Sequence, residues 1–287
     1  MTRSLPPFDG RLARTSAQAI GTTNSIIALG CQRRGVAGRK AERHTLGLAV
    51  AQAAFLLLAG DTRFNSTLSD GDRVVPGQRL LELSGSARTI LQGERTALSF
   101  LGRMSGIATL TRRFVNAVAG TKARILDTRK TAPGLRALDK LAVRHGGGEN
   151  HRFGLYDMIL IKNNHTDYVG SLSKARRSRV ERTTPIWKSK SKPEPSTRCR
   201  KRWRWGSNES CWTTCRRGEL LRAVALCAGR AKLEASGNGR LDNVPRDCRK
   251  PASTSSPVGA LTHSAPAFDV QSAVGWIIVA RQPGGKQ

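Results

Sequence analysis

The sequence predicts a parallel α/β architecture, and three observations predict it. Short apolar runs alternate with segments of helical periodicity, the runs end in polar and cationic residues, and Gly, Pro and Asp pairs mark the joints. Gly47–Gly60 (GLAVAQAAFLLLAG) is rich in Ala and Leu with a glycine at each end, which predicts a buried helix of about three turns. Residues 70–93 change character. Asp70-Gly71 and Pro76-Gly77 separate Val74-Val75 from Leu80–Leu83, the pattern of a small sheet. From Glu94 to Ala119, Leu98, Leu101, Ile107, Leu110, Phe114 and Val118 recur at helical spacing around Ser105-Gly106. That predicts a helix, a break at Ser105-Gly106 and a second helix. Ala123–Leu126 reads as a strand running into Asp127-Thr128-Arg129-Lys130, and Leu135 to Val143 as a helix opened by Pro133-Gly134. Met158–Ile161 is a short buried strand running into Lys162-Asn163-Asn164-His165. In an α/β barrel, polar residues at the C-terminal ends of strands are where chemistry is assembled.

The totals bound the function classes. A chain of 287 residues can bury a full core as one large domain or two smaller ones. Its formal net charge of +29 points to an anionic partner: nucleic acid, an acidic membrane or phosphorylated substrates. No apolar run approaches the roughly 18 residues of a membrane span. The opening MTRSLPPFDGRLARTSAQ lacks the apolar stretch of a signal peptide. Six cysteines do not make a disulfide scaffold, so a reducing, cytoplasmic setting is expected.

The charge is local. Lys174 to Arg217 holds fifteen Lys/Arg against three Glu, together with Trp187, Trp203, Trp205, Trp212, Cys199, Cys211 and Cys215. On either side the composition is ordinary. Tryptophan mixed with cations resembles a single-strand nucleic-acid surface, where aromatics stack on bases and cations track phosphates. No nucleic-acid module pattern accompanies it, so nucleic acid is not the expected partner. Zinc is weaker still, because Cys211, Cys215 and Cys199 lack a second well-spaced pair or a nearby His.

Candidate chemistry lies earlier in the chain. Arg129-Lys130 follows one strand, His151-Arg152 follows the Gly146-Gly147-Gly148 loop, and Lys162 follows the next strand. One basic residue at a strand end is ordinarily a solvated one. Three clusters beside glycine-rich turns predict a pocket for a multiply charged anion: Arg grips a carboxylate or phosphate bidentately, and Lys is a mobile point charge. The triple glycine would let backbone N–H groups approach phosphate oxygens.

ERTALSFLGRMSGIATLTRRFV (94–115) and ILDTRKTAPGLRALDKLAVRHGGGENHRFGLYDMILIKNNH (125–165) closely resemble the quinolinate phosphoribosyltransferase family. GTTNSII (21–27), EASG (234–237) and VGALTHSAPAFD (258–269) extend the resemblance. It implies an N-terminal α/β sandwich domain (1–115) followed by an incomplete parallel α/β barrel (116–287), in a homodimer or higher oligomer with shared active sites. It also implies a reaction in which quinolinate and phosphoribosyl pyrophosphate, with Mg2+, give nicotinate mononucleotide, pyrophosphate and CO2. Motif by motif, Arg95 would reach the partner subunit's quinolinate. Arg129 and Arg152 would hold its two carboxylates, with Thr128 and His151 beside them. Lys130 and Lys162 would face the phosphoribosyl donor and act in catalysis. Ser236-Gly237 and Val258-Gly259-Ala260 would cradle the 5′-phosphate. His165 and His263 read as members of strand-end hydrogen-bond networks. No protein metal ligand is assigned. The family's acidic VEVE-type strand and LDN strand are missing from the basic segment.

Both return in another reading frame. Ile186–Lys192 can be encoded ATC TGG AAG TCG AAG TCG AAG, and two bases further on the same string gives Leu-Glu-Val-Glu-Val-Glu. Continued through Ser196–Arg217, allowed codons give TLDQVQEAVAVGVERIMLDNMSP: an amphipathic helix and then LDN. One Glu codon straddles Ser189/Lys190, and the Asp codon straddles Trp212/Thr213. After Val244, PRDCRK shifted by one base can read REIAE, and PASTSSP shifted by two can read GVDFIS. The sequence therefore reads as out of frame across 175–217 and again across 245–257, with a smaller shift in 28–46 as a weaker candidate. As it stands, 175–217 is expected to replace two barrel strands and a helix with charged sequence, to be disordered, and to leave the chain inactive. A basic nucleic-acid-binding protein on a remnant scaffold is the rival reading.

Overall fold

A computed structural model describes Ile26 and residues 32–39, 43–58, 62–75, 78–161, 163–171, 174, 189–191, 211–213, 233–235, 239–244 and 255–274. In chain order its elements are β1 (Gln32–Arg39), β2 (Arg43–His44), α1 (Leu48–Leu56), β3 (Arg63–Asn65), β4 (Arg73–Val74), β5 (Arg79–Ser86) and α2 (Ala87–Ala117). Then come β6 (Arg124–Leu126), α3 (Arg136–His145), β7 (Ile159–Ile161), α4 (Asn163–Val169), β8 (Ser189–Ser191) and β9 (Cys211–Thr213). β10 (Leu233–Ala235), β11 (Ser255–Pro257), α5 (Ala260–His263) and β12 (Val270–Val274) complete it. The chain divides into two compact units. One comprises Met1–Thr109, Ala137–Gly146 and Ala265–Gln287, and the other Leu110–Arg136 and Gly147–Ser264. Among the described residues no helix is long and apolar enough to cross a membrane.

The first unit is built on a four-stranded antiparallel sheet in the order β12-β1-β5-β3, with β2 and β4 paired separately. Leu81 and Leu83 of β5, Ala51, Ala54 and Phe55 of α1, and Ile90, Leu98 and Leu101 of α2 share one apolar core with Phe268 and Val270. The predicted break at Ser105-Gly106 does not occur. α2 is one helix of 31 residues, and both residues are packing positions. The Ser105 hydroxyl accepts the Leu46 N–H at 2.9 Å and donates to the Leu46 carbonyl at 3.1 Å. A Cβ on Gly106 would overlap the carbonyl of Pro266, and one on Gly102, a turn earlier, would sit 2.8 Å from the Phe268 carbonyl. Two glycines four apart on one helix face let the 266–268 backbone lie directly on α2, where the Phe268 N–H donates to the Gly102 carbonyl at 2.9 Å. Close approach, rather than a kink, explains those glycines.

The second unit is a six-stranded sheet in the order β6-β11-β10-β9-β8-β7. Every pairing is parallel. Sequential strands are neighbours from β7 to β11, and β11 returns beside β6, the order of a barrel with one seam left open. The other edge of β6 pairs with Glu149 through a parallel bridge at Leu126. Here the structure corrects the expectation that 175–217 carries no strands. Ser189–Ser191 and Cys211–Thr213 hold the sheet positions between β7 and β10. The physical reason is that ladder hydrogen bonds use only main-chain N–H and C=O groups, which any non-proline residue supplies. The expected disorder of the rest of 175–217 lies outside the described residues, as do 28–31 and 40–42 of the 28–46 frame reading and 245–254 of the 245–257 one.

Candidate active site

The site is assembled at the C-terminal end of β6. The β6 strand Arg124-Ile125-Leu126 buries Ile125 and Leu126, so the chain leaves the sheet at Asp127, which is 0% exposed. The 149–152 segment is laced to that end. The Glu149 N–H donates to the Ile125 carbonyl at 2.8 Å, the Asp127 N–H to the Glu149 carbonyl at 3.1 Å, and the His151 N–H to Asp127 Oδ1 at 2.8 Å. Asp127 thereby fixes where His151-Arg152 begins. The Arg152 N–H then donates to His151 Nδ1 at 2.7 Å, and Arg152 Nη1 to the Met158 carbonyl at 2.9 Å.

Both residues are withdrawn from solvent, with His151 8% and Arg152 7% exposed. Burial lowers the proton affinity of the Arg152 guanidinium, the nearby Arg129 pushes it the same way, and Asp157 opposes both. Arg129 Nε is buried with no hydrogen-bond partner among the described residues. Two neighbouring guanidiniums repel each other, and a ligand with two negative groups offsets that cost. Arg129, Arg152 and His151, predicted as neighbours, are therefore brought together, with Thr128 on the same turn, where its Oγ1 accepts the Lys130 N–H at 3.1 Å.

Lys130 is exposed beside the start of α5. Thr262 Oγ1 donates to the Lys130 carbonyl at 2.8 Å, and a Cβ on Gly259 would lie 3.2 Å from Lys130 Cδ. Two expectations change here. The Val258 N–H already donates to the Leu126 carbonyl at 2.9 Å, so it belongs to the strand ladder and is not available to a phosphate. The triple glycine ends α3 instead of forming an anion loop. Gly146 N–H closes the last turn on Ala142, and Gly147 takes φ +84. A left-handed residue after a helix is the ordinary place for glycine. Arg95 is exposed on α2 in the first unit. Lys162, Ser236 and Gly237 lie outside the described residues.

Sequence reasoning missed two carboxylates. Asp127 stands in the sequence as a strand-end residue beside two cations, and its burial is set by the 149–152 segment that pairs with it. Glu234 on β10 stood inside the quoted EASG motif without a role. It is 2% exposed, and its Oε2 lies 3.9 Å from His151 Nε2. The described donors do not by themselves assemble a magnesium site. Among the described residues no group of three or more His, Cys, Asp or Glu could hold a metal ion. Asp127 Oδ1 is already engaged by His151.

A buried arginine and a half-buried one at the strand ends of a parallel sheet, with a lysine alongside, form a cationic cluster suited to small, multiply charged anions. Comparison with known proteins narrows the class. The quinolinate phosphoribosyl transferase N-terminal domain matches residues 32–105, and the C-terminal domain of the same family matches 107–188. A probable nicotinate-nucleotide pyrophosphorylase [carboxylating] of Bacillus subtilis is 35% identical over 231 residues, covering 80% of each chain. The Mycobacterium leprae nicotinate-nucleotide pyrophosphorylase [carboxylating] is 57% identical over 111 residues, 39% of each chain. The crystal structure of NadC from Streptococcus pyogenes superposes with a TM-score of 0.88 at 32% identity, over 95% of this chain and 99% of that one. This chain belongs to the quinolinate phosphoribosyltransferase family. The C-terminal match ends at residue 188, inside the basic segment.

Proposed function

We propose that this site transfers the phosphoribosyl group of phosphoribosyl pyrophosphate to quinolinate, with loss of CO2 and pyrophosphate, yielding nicotinate mononucleotide as a step of NAD biosynthesis. The convergence of Arg129 and Arg152 beside His151 carries the reading, because a pyridine with two adjacent carboxylates offers one anionic group to each guanidinium. The pyridine nitrogen attacks the ribose carbon, the bond to the pyrophosphate oxygen breaks, and the 2-carboxylate then departs as CO2, leaving its electron pair to take a proton. Lys130 and Lys162 face the leaving phosphates, where negative charge develops. Ser236-Gly237, Gly259 and Ala260 offer backbone N–H groups to the 5′-phosphate. Arg95 completes the quinolinate site of the partner subunit in a homodimer or larger oligomer, and the enzyme works in the cytoplasm. Mg2+ arrives with phosphoribosyl pyrophosphate. Titration calorimetry tests the reading: quinolinate is expected to bind at least about tenfold tighter than nicotinate, which lacks one carboxylate. Equal affinities would overturn it.

We also infer that codons 175–217 and 245–257 stand out of frame, and that the polypeptide as it stands binds quinolinate without turning it over. Strand composition supports this. β11 lies between β6 and β10 and is buried, yet reads Ser-Ser-Pro, with Pro257 opposite Leu126. Parallel strands covered on both faces are normally apolar runs, and proline is normally confined to sheet edges. The codons straddling 254/255, 255/256 and 256/257 read Phe, Ile and Ser in the shifted frame. β8 and β9, Ser-Lys-Ser and Cys-Trp-Thr, become Val-Glu-Val and Leu-Asp-Asn in the same way. Resequencing the coding DNA across codons 170 to 260 decides between a reading error and a real lesion. An uninterrupted frame whose chain binds nucleic acid with a steep salt dependence would favour the basic binding protein instead.

A further inference from the structure

Glu234 is a buried carboxylate that the proposed reaction leaves without work. Its surroundings give it one. His151 is held at three atoms: its N–H donates to Asp127 Oδ1, its Nδ1 accepts the Arg152 N–H, and its Nε2 faces Glu234 Oε2 at 3.9 Å. The second of these fixes the tautomer. A ring nitrogen that accepts a backbone N–H cannot carry the ring proton, so the neutral imidazole carries it on Nε2, directed at Glu234.

Both side chains are more than nine-tenths buried, where opposite charges or a charge and an N–H dipole interact strongly and a lone carboxylate is costly. Glu234 reaches this position from β10, which is separated from β6 by β11. The contact therefore joins the end of one strand to a segment laced to another, two places away in the sheet. The ring is a strut between them. One nitrogen sets the backbone of Arg152, and the other is set by Glu234.

We propose that Glu234 is a positioning residue for the dicarboxylate pocket: it holds the His151 imidazole with its proton on Nε2, and through that ring fixes the turn that aims Arg152. The proposal rests on the function above only for the identity of the ligand. It is distinct from a role as a metal donor, for which the described residues give no companions.

The test is long-range 1H–15N NMR on the full chain labelled at its five histidines, with His151→Phe identifying the His151 signals. The unsubstituted protein is expected to show Nδ1 unprotonated and Nε2 protonated. Glu234→Gln is expected to shift both ring signals, to speed exchange of the Nε2 proton with water, and to weaken quinolinate binding about tenfold. Glu234→Asp keeps the carboxylate and should retain the tautomer pattern. Unchanged ring signals and affinity in Glu234→Gln overturn the proposal, and so does an equal loss of affinity in both variants with the ring undisturbed. If Glu234→Gln does not fold, Glu234→Asp decides: a protonated Nε2 supports the proposal and a protonated Nδ1 overturns it. An unsubstituted chain with the expected ring signature but no affinity for quinolinate sinks the functional reading and leaves this one standing.

Discussion

Strands β6 and β7 read Arg-Ile-Leu and Ile-Leu-Ile, whereas β8, β9 and β11 read Ser-Lys-Ser, Cys-Trp-Thr and Ser-Ser-Pro. All five hold places in one parallel sheet. The difference separates two requirements that usually coincide. Main-chain pairing needs only donors and acceptors at the right register, and the second group satisfies that. A stable, chemically competent barrel also needs apolar faces toward the core and chosen side chains at the strand ends. β8 and β11 hold no aliphatic or aromatic residue that could pack as such a face, and the acidic residues of the VEVE-type and LDN strands are absent from the sequence at β8 and β9.

The largest effect expected comes from repairing that difference. A gene carrying the shifted frame across 175–217 and 245–257 should turn over quinolinate and phosphoribosyl pyrophosphate at least about 10³-fold faster than the polypeptide as it stands, since losing single electrostatic groups costs about 10²–10³. A direct assay of nicotinate mononucleotide checks it. Equal rates would erase the distinction between the two strand groups.

Next in size is the part of the site that precedes the basic segment. Arg152→Ala should weaken quinolinate binding by about 2–3 kcal/mol and abolish the preference over nicotinate, because a charge-assisted, buried contact is removed. Both forms of the gene should show the same loss, since Arg152 lies before either shift. A loss confined to the repaired form would place the pocket elsewhere.

The first unit supplies a control away from the polar strands. Arg103 grips Asp139 with Nε at 2.8 Å and Nη2 at 2.7 Å, and Asp139 is 0% exposed. Asp139→Ala should lower stability by about 3 kcal/mol in urea unfolding, by stranding a partly buried guanidinium. Gly106→Ala should cost about 1–3 kcal/mol, since a Cβ there meets the Pro266 carbonyl backbone, which cannot swing aside as a side chain does. A neutral result would show that 265–268 does not pack on α2 as described. The smallest effect belongs to the Arg124–Glu149 ion pair, which is well exposed on both sides. Arg124→Ala should change stability by less than about 0.5 kcal/mol, and the pairing of 149–151 with β6 should survive on its backbone bonds alone.

By itself the sequence determined the alternation of helices and strands through Ile161, the cationic strand ends and the place where the pattern fails. Those are readable because apolar periodicity and turn residues are local signals along the chain. Tertiary structure decided what local signals do not contain. Ser105-Gly106 reads as a break in one dimension and is a seat for another segment in three. Gly146-Gly147 reads as an anion loop and is a helix end. Val258 reads as a phosphate donor and is a rung of the ladder. Asp127 and Glu234 carry their meaning only through His151, which lies 24 positions from one and 83 from the other along the chain. Contacts of that span are set by strand order, and strand order in this sheet is fixed by backbone pairing that the polar strands make as well as the apolar ones.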